Sequence, residues 1–135
     1  MNEGWYAGNY LVLFAPGEAL SESERYSIKR WLPDFELRGL LGWDDFILRS
    51  ADGQLFRAPT VPCRRQHLQP YSLPEPVELR PEPTLRGKIK WYITPLVFGG
   101  DPNDPANTVW VNPEKHGQLV AWWNERYETA SAGSA

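Results

Sequence analysis

Residues 91–127 read WYITPLVFGGDPNDPANTVWVNPEKHGQLVAWWNERY, and this stretch decides how the C-terminal part of the 135-residue chain folds. An apolar, strand-like start leads into a loop rich in Gly, Asp, Pro and Asn, and residues 108–111 return as a second short strand. The triplet Asn112-Pro113-Glu114 then supplies a capping side chain, a proline for the first helical position and an acid for the first turn. The pattern predicts a β-hairpin followed by a helix.

The predicted C-terminal helix carries one apolar stripe at helical spacing, formed by His116, Leu119, Val120, Trp123 and Tyr127. We expect this stripe to be buried, where each large apolar side chain contributes about 1.5–3 kcal/mol. Because Trp123 belongs to the stripe, its neighbour Trp122 should point elsewhere. The final residues, TASAGSA, have little apolar surface to bury, so we predict one domain over residues 1–128 and a disordered tail over 129–135.

Segments of strand length in the front part of the chain occupy residues 9–14, 35–41, 43–49 and 54–58. Asp52-Gly53, between the last two, is a hairpin signal. Ser21 and Glu24 have the spacing of a capping box, and we expect a helix that begins at Ser21 and ends at Pro33. Together with the C-terminal ββα-like unit, these elements predict an α+β fold with a mainly antiparallel sheet and two helices.

Residues 59–83 contain seven of the 13 prolines, which cannot donate to a sheet ladder. We interpret this segment as a crossover within one domain, with short edge strands at 71–73 and 77–79. A proline-rich ligand for an aromatic groove is an alternative. Cys63 and His67 have no companion pair nearby in sequence, so their spacing does not favour a zinc site.

Charge is unevenly distributed along the chain, whose net charge is −3: residues 57–90 hold seven bases against three acids. Such a segment can bind nucleic acid or an acidic partner, but basic residues also solubilise a proline-rich connector, which is the interpretation we favour. A single cysteine is typical of a reducing compartment, no apolar run reaches membrane-spanning length, and the start MNE lacks the basic residues of a secretory signal. We expect a cytoplasmic protein without a cofactor.

The seven tryptophans are more than one small core readily buries, and tryptophan is enriched at protein interfaces. Acidic residues near them could face a basic partner. The residues that we predict to bind a partner are Trp43, Asp44, Asp45, Asp101, Asp104, Trp110 and Trp122. Paired carboxylates such as Asp44 and Asp45 can also bind metal or transfer protons, although an exposed strand end is the more common setting.

The C-terminal stretch locally resembles the HNH, or ββα-metal, nucleases. The residues that match are Ile93-Thr94-Pro95-Leu96, Gly99-Gly100, Asn107 and the helix histidine His116. Two histidines and a further metal ligand of that family fall on Trp91, Tyr92 and Val120, and neither indole nor valine offers a lone pair for a cation. We therefore predict no catalytic residue and no metal site, and we assign Asn107 and His116 to a structural clamp between the loop and the helix.

A second resemblance extends over more of the chain. The C-terminal pattern FGGDPNDPAN followed by LVAWWN, behind a small α/β front half, is similar to small bacterial immunity proteins of polymorphic and secreted toxin systems. The resemblance implies direct binding of a cognate toxin domain, without catalysis. Two alternatives stay open: an HNH-like metal-dependent nuclease, and a nucleic-acid-binding module that uses the basic residues 57–90.

Overall fold

The structure is a computed structural model that describes residues 2–74 and 76–133, with side chains up to residue 130. Within these residues the chain forms a six-stranded antiparallel sheet, a two-stranded sheet and three α-helices. The predicted α+β class with a mainly antiparallel sheet is confirmed. The helix number differs, because the helix predicted in the front half is divided into two.

The six-stranded sheet follows chain order, and each strand is antiparallel to the next. Its strands are β1 (Asn2–Tyr6), β2 (Asn9–Leu13), β3 (Phe35–Leu41), β4 (Asp45–Ser50), β5 (Leu55–Pro59) and β6 (Gln69–Pro70). The segments predicted at 9–14, 35–41, 43–49 and 54–58 correspond to β2 through β5. Sequence reasoning missed β1, because Glu3 and Gly4 are poor strand formers and its turn is Ala7-Gly8 rather than Asn-Gly.

The first helical region begins earlier than predicted. Helix α1 (Pro16–Arg25) has Ala15 as its N-cap, and the Glu18 carboxylate accepts a hydrogen bond from the Ala15 amide at 2.8 Å. Ser21 is therefore inside the helix rather than at its cap, and its hydroxyl donates to the Glu18 carbonyl. Pro16 explains the start, because proline is favoured at the first helical position.

Helix α2 (Ile28–Trp31) is a single turn that follows α1 after Ser27, whose φ of 57° interrupts the helix. The two helices pack on one face of the sheet, where Tyr26, Ile28 and Leu32 are buried. Ser23 connects the layers: its hydroxyl accepts a hydrogen bond from the Leu37 amide at 2.9 Å. This face contains the main hydrophobic core.

The C-terminal unit consists of β7 (Ile89–Tyr92), β8 (Thr108–Val111) and α3 (Pro113–Gly133). The two strands form an antiparallel pair of their own, and the Asn112 side chain accepts a hydrogen bond from the Lys115 amide to cap α3. The helix continues through 129–133, which the sequence predicts as disordered; extending an existing helix is far easier than nucleating one. Residues 134 and 135 lie outside the described part of the chain.

The proline-rich connector crosses the second face of the sheet. It pairs with β5 through β6 at one edge and forms a β-bridge from Arg80 to Trp5 of β1 at the other. In between, Tyr71, Leu73 and Leu79 pack against the second core cluster, whose buried members are Leu11, Leu41 and Ile47. The edge strands predicted at 71–73 and 77–79 do not form, since these residues contribute side chains to the sheet face instead.

Asn124 fastens α3 to the start of the connector. The side chain is fully buried; its Oδ1 accepts from the Cys63 amide at 2.8 Å, and its Nδ2 donates to the carbonyls of Thr60 (2.7 Å) and Val120 (3.0 Å). One amide side chain thus satisfies buried backbone groups on both sides of the helix–connector contact.

We expect Asn124→Ala to lower the free energy of unfolding by about 2–4 kcal/mol, because it leaves the Cys63 amide and the Thr60 carbonyl buried without their partner. Urea denaturation measures this loss. Gln118→Ala, at an exposed site on the same helix, is the control and should change stability by less than about 0.5 kcal/mol. Equal stabilities of the two variants would contradict the role given to Asn124.

Gly117 allows α3 to approach α1 closely. A Cβ atom at this position would lie 2.8 Å from Cγ and 2.9 Å from the carbonyl oxygen of Arg25, at the end of α1. The backbone carbonyl cannot move aside as a flexible side chain could. The absence of a side chain at residue 117 therefore sets the distance between the two helices.

Gly117→Ala should destabilise the protein by about 1–3 kcal/mol, since the clash outweighs the higher helix propensity of alanine. Gly17→Ala in α1 is a matched control, because no atom lies within 4 Å of the added Cβ there. Thermal unfolding should show a lower Tm for the first variant and an unchanged or higher Tm for the second. A Tm increase for Gly117→Ala would refute the close-approach explanation.

Candidate functional site

An aromatic cluster joins the main sheet to the C-terminal hairpin. Trp43, in the turn before β4, stacks on Tyr10 with ring centroids 5.1 Å apart, and Trp110 of β8 meets it edge-on at 5.2 Å. Trp5 completes the cluster at 6.1 Å from Trp43. Of the predicted binding residues, Trp43 and Trp110 are thus in contact; Trp43 is half-buried, whereas Trp110 is 45% exposed.

The outer face of the hairpin presents Trp110 beside a basic and an aromatic residue. Lys90 is paired directly with Trp110 across the two strands, so their side chains share a face. The Lys90 ammonium lies 5.6 Å from the centre of the Tyr92 ring, which belongs to the same face. This arrangement places one positive charge next to the aromatic cluster.

Asp44 and Asp45 lie where the main sheet faces the hairpin. Asp45 accepts two hydrogen bonds at Oδ2 from Arg57 of β5, at 3.1 and 2.6 Å. Asp44 is exposed as a whole residue. Desolvation by the surrounding protein, and after it the charge of Asp45, raises its pKa to about 6, whereas Lys90 acts in the opposite direction. The two adjacent acids therefore differ in environment.

These elements enclose a cavity of about 180 Å³, which we call the acidic cleft. Its walls come from the start of β4, the end of β5 and the segment that begins with β7. The lining residues are Asp44, Asp45, Pro59, Thr60, Val61, Trp91, Tyr92, Pro95 and Leu96. The cleft is mostly apolar, with two carboxylates among its lining side chains.

The raised pKa of Asp44 predicts a pH-dependent stability. The unfolded chain releases this proton near 3.8 and the folded chain near 6, so rising pH over that interval disfavours folding. Asp44→Asn should therefore gain stability relative to the wild type as pH rises from 4 to 7. Chemical denaturation at a series of pH values tests this.

Asp52→Asn is a comparison variant for which we expect the opposite pH dependence of stability. A hydrogen bond from the Ser50 hydroxyl lowers the pKa of Asp52, so the wild type should gain stability relative to this variant as pH rises. If Asp44→Asn, like Asp52→Asn, lost stability relative to the wild type as pH rises, the raised pKa of Asp44 would be contradicted.

The loop between β7 and β8 is closed by Asn107. Its Oδ1 accepts from the Thr94 amide at 2.8 Å, and its Nδ2 donates to the carbonyls of Thr94 (3.1 Å) and Asp101 (3.3 Å). Gly100 fits beneath this closure because a Cβ there would lie 1.8 Å from the Thr94 oxygen. Asp101 and Asp104 form turns by accepting from the amides two residues further on, and both remain exposed.

His116 does not contact this loop, so the predicted clamp between loop and helix is wrong for this residue. Its ring is fully buried; Nδ1 lies 2.6 Å from the Tyr26 hydroxyl at the end of α1, and Trp91 packs on it edge-on at 5.4 Å. Burial lowers the pKa of His116 to about 3. The histidine holds α3 against α1 as a neutral core residue.

Three residues at nuclease-like positions, Trp91, His116 and Val120, are part of the core. Trp91 and Val120 are buried, and His116 is surrounded by aromatic rings rather than by carboxylates. Over residues 2–74 and 76–133, no group of three or more His, Cys, Asp and Glu side chains is placed to bind a metal ion. The hairpin and helix have the predicted ββα-like order, and Trp91, His116 and Val120 contribute to the packing of the core.

Trp122 points away from the apolar stripe, as its position next to Trp123 predicts, and is 53% exposed. Trp123 and Tyr127 are covered instead by Phe98 of the loop, at 4.8 and 6.4 Å between ring centroids. Trp122 does not line the acidic cleft. The contact made by Phe98 was missed, because a lone aromatic in a loop does not reveal its partner.

Several basic residues of the 57–90 segment are engaged in contacts within the chain. Arg64 lies between the rings of Trp31 and Tyr127, at 4.5 and 5.1 Å from their centres. Ion pairs join Arg57 to Asp45, Arg65 to Asp34 and Arg86 to Glu3. These contacts leave fewer basic side chains for a phosphate backbone than the sequence composition implies.

Three exposed apolar residues follow β7, and we call them the apolar ridge. Ile93 and Leu96 are 51% and 48% exposed, and neighbouring Val97 is 46% exposed. Ile93 lines a shallow hollow together with Asp101 and Asp104, whereas Leu96 lines the acidic cleft. We refer to Ile93, Leu96, Val97 and the four acids Asp44, Asp45, Asp101 and Asp104 as the hairpin surface. Its apolar part was missed by sequence reasoning, although a run of apolar residues beside proline was a usable signal.

No protein-family model matches the chain, and neither the curated proteins nor the solved structures contain a significant match to it. Among the residues that the structure describes, no helix has the length and apolar character needed to cross a membrane.

Proposed function

We propose that this chain is a non-enzymatic cytoplasmic binding protein whose hairpin surface binds a basic protein domain. The observation that carries the proposal is the exposed apolar ridge of Ile93, Leu96 and Val97. Leu96 shares a cavity with Asp44 and Asp45, and Ile93 shares a hollow with Asp101 and Asp104. Apolar side chains at the centre of a contact supply most of its affinity, and acidic residues around them select a positively charged partner. The sequence resemblance to immunity proteins supports the proposal that this partner is a cognate toxin domain.

The backbone beneath this surface is ordered before binding. Asn107 fixes the loop to residue 94, and Phe98 anchors the same loop to Trp123 of α3. Because the loop is held in place by these contacts, association does not have to order it, which preserves affinity. An inhibitor that must cover a cleft on another protein benefits from such rigidity.

The test uses purified domains of the proteins that the neighbouring genes encode, among which the proposal requires a toxin domain. We expect Leu96→Asp to weaken its binding at least about tenfold, because it places a charge at the centre of the apolar ridge. Leu20→Asp, on α1 and 65% exposed, is the matched control and should bind like the wild type. Isothermal titration calorimetry measures both affinities.

A toxin domain that fails to bind the wild-type chain would contradict the proposed function. Equal weakening by Leu96→Asp and Leu20→Asp would show that the hairpin surface is not the site. Raising the salt concentration should reduce the association rate, because the acids on the surface attract a basic partner over a distance.

A further inference from the structure

The acidic cleft has the shape and chemistry of a receptor for one side chain. Its apolar walls include the rings of Trp91 and Tyr92 and the side chain of Leu96, all placed on or just after β7. Asp44 and Asp45, at the start of β4, also line the cleft. A ligand that fits must combine an apolar stem with a positively charged end, and the side chains that do so are those of arginine and lysine.

The charges around the cleft leave Asp44 as the acceptor. Asp45 already receives two hydrogen bonds from Arg57 at a single oxygen. Lys90 is the basic group whose charge acts on Asp44, yet its ammonium lies over the Tyr92 ring. A cation entering the cleft would thus meet the desolvated carboxylate of Asp44, where electrostatic attraction is stronger than at an open surface.

We propose that the acidic cleft binds the side chain of an arginine or lysine of the partner protein, with Asp44 as its principal countercharge. This inference rests on the proposed function and names the partner residue that the hairpin surface selects. Leu96 belongs to both the ridge and the cleft, so the inserted side chain lies at the margin of the apolar contact. The cleft then provides specificity for a basic partner, and the ridge provides apolar contact area.

The cleft can be tested without the partner. The probe is N-acetyl-arginine N-methylamide, titrated into the full-length, isotope-labelled chain and followed by NMR; its affinity should be roughly millimolar, as is usual for so small a ligand. N-acetyl-citrulline N-methylamide, nearly the same shape but neutral, is the matched control. We expect amide shifts at Asp44, Thr60 and Tyr92, and at least about tenfold weaker binding of the neutral probe.

The site of the charge is tested by substitution and by pH. Asp44→Asn should weaken arginine-probe binding about tenfold, whereas Glu24→Gln, at an exposed acid on α1 outside the cleft, should leave it within about twofold. Lowering the pH from 7.5 to 5 should weaken binding to the wild type about tenfold, since the pKa of Asp44 is about 6. The other ionisable groups near Asp44 are those of Asp45, Arg57, Lys90 and Tyr92, and all four are retained in Asp44→Asn.

Equal binding of the arginine and citrulline probes, shifts confined to another surface, or an unchanged affinity in Asp44→Asn would overturn the inference. These outcomes are separate from failure of the proposed function. Probe binding in the cleft combined with no binding of the toxin domain would reject the toxin partner alone. Toxin binding without probe binding would reject the cleft as its receptor for a basic side chain.

Discussion

Gly117 brings the first turn of α3 onto the backbone of Arg25, and the same turn places the His116 ring against the Tyr26 hydroxyl. Close packing here depends on two features. Gly117 has no side chain, and the His116 imidazole is neutral, so it can be buried without the cost of burying a charge. Further along α3, Asn124 makes the corresponding connection to the backbone of residues 60–63. The helix is thereby held to the front half at two points, about two turns apart.

Because α3 follows directly from β8, its position also determines where the hairpin lies. Trp91 connects the core to the hairpin. It packs on His116 and also lines the acidic cleft. Trp110 then reaches Trp43, so that the acids at the start of β4 face the segment after β7. Buried contacts thus position the chemical groups of the exposed surface.

Local signals in the sequence predicted the elements well where a few neighbouring residues determine the structure. The cap at Asn112, the strand at 108–111 and the outward direction of Trp122 are of this kind. The prediction failed where distant residues decide. His116 bonds to a tyrosine 90 positions away, and the acidic cleft is assembled from three separate segments whose juxtaposition no local pattern specifies. The start of α1 was predicted at Ser21 from its capping-box spacing, whereas the helix begins at Pro16 with Ala15 as its N-cap.

The path of the proline-rich connector has a consequence for the sheet as a whole. At the β1 edge of the sheet, the backbone of Arg80 forms a β-bridge with Trp5. A Cβ atom on Gly4 would lie 2.7 Å from the same backbone, so the connector itself covers this part of the edge. At the opposite border β6 is only two residues long and ends in Pro70, which has no amide hydrogen to donate. Both margins of the sheet therefore resist the addition of a foreign strand, and the protein can present an apolar ridge without inviting fibrillar self-association.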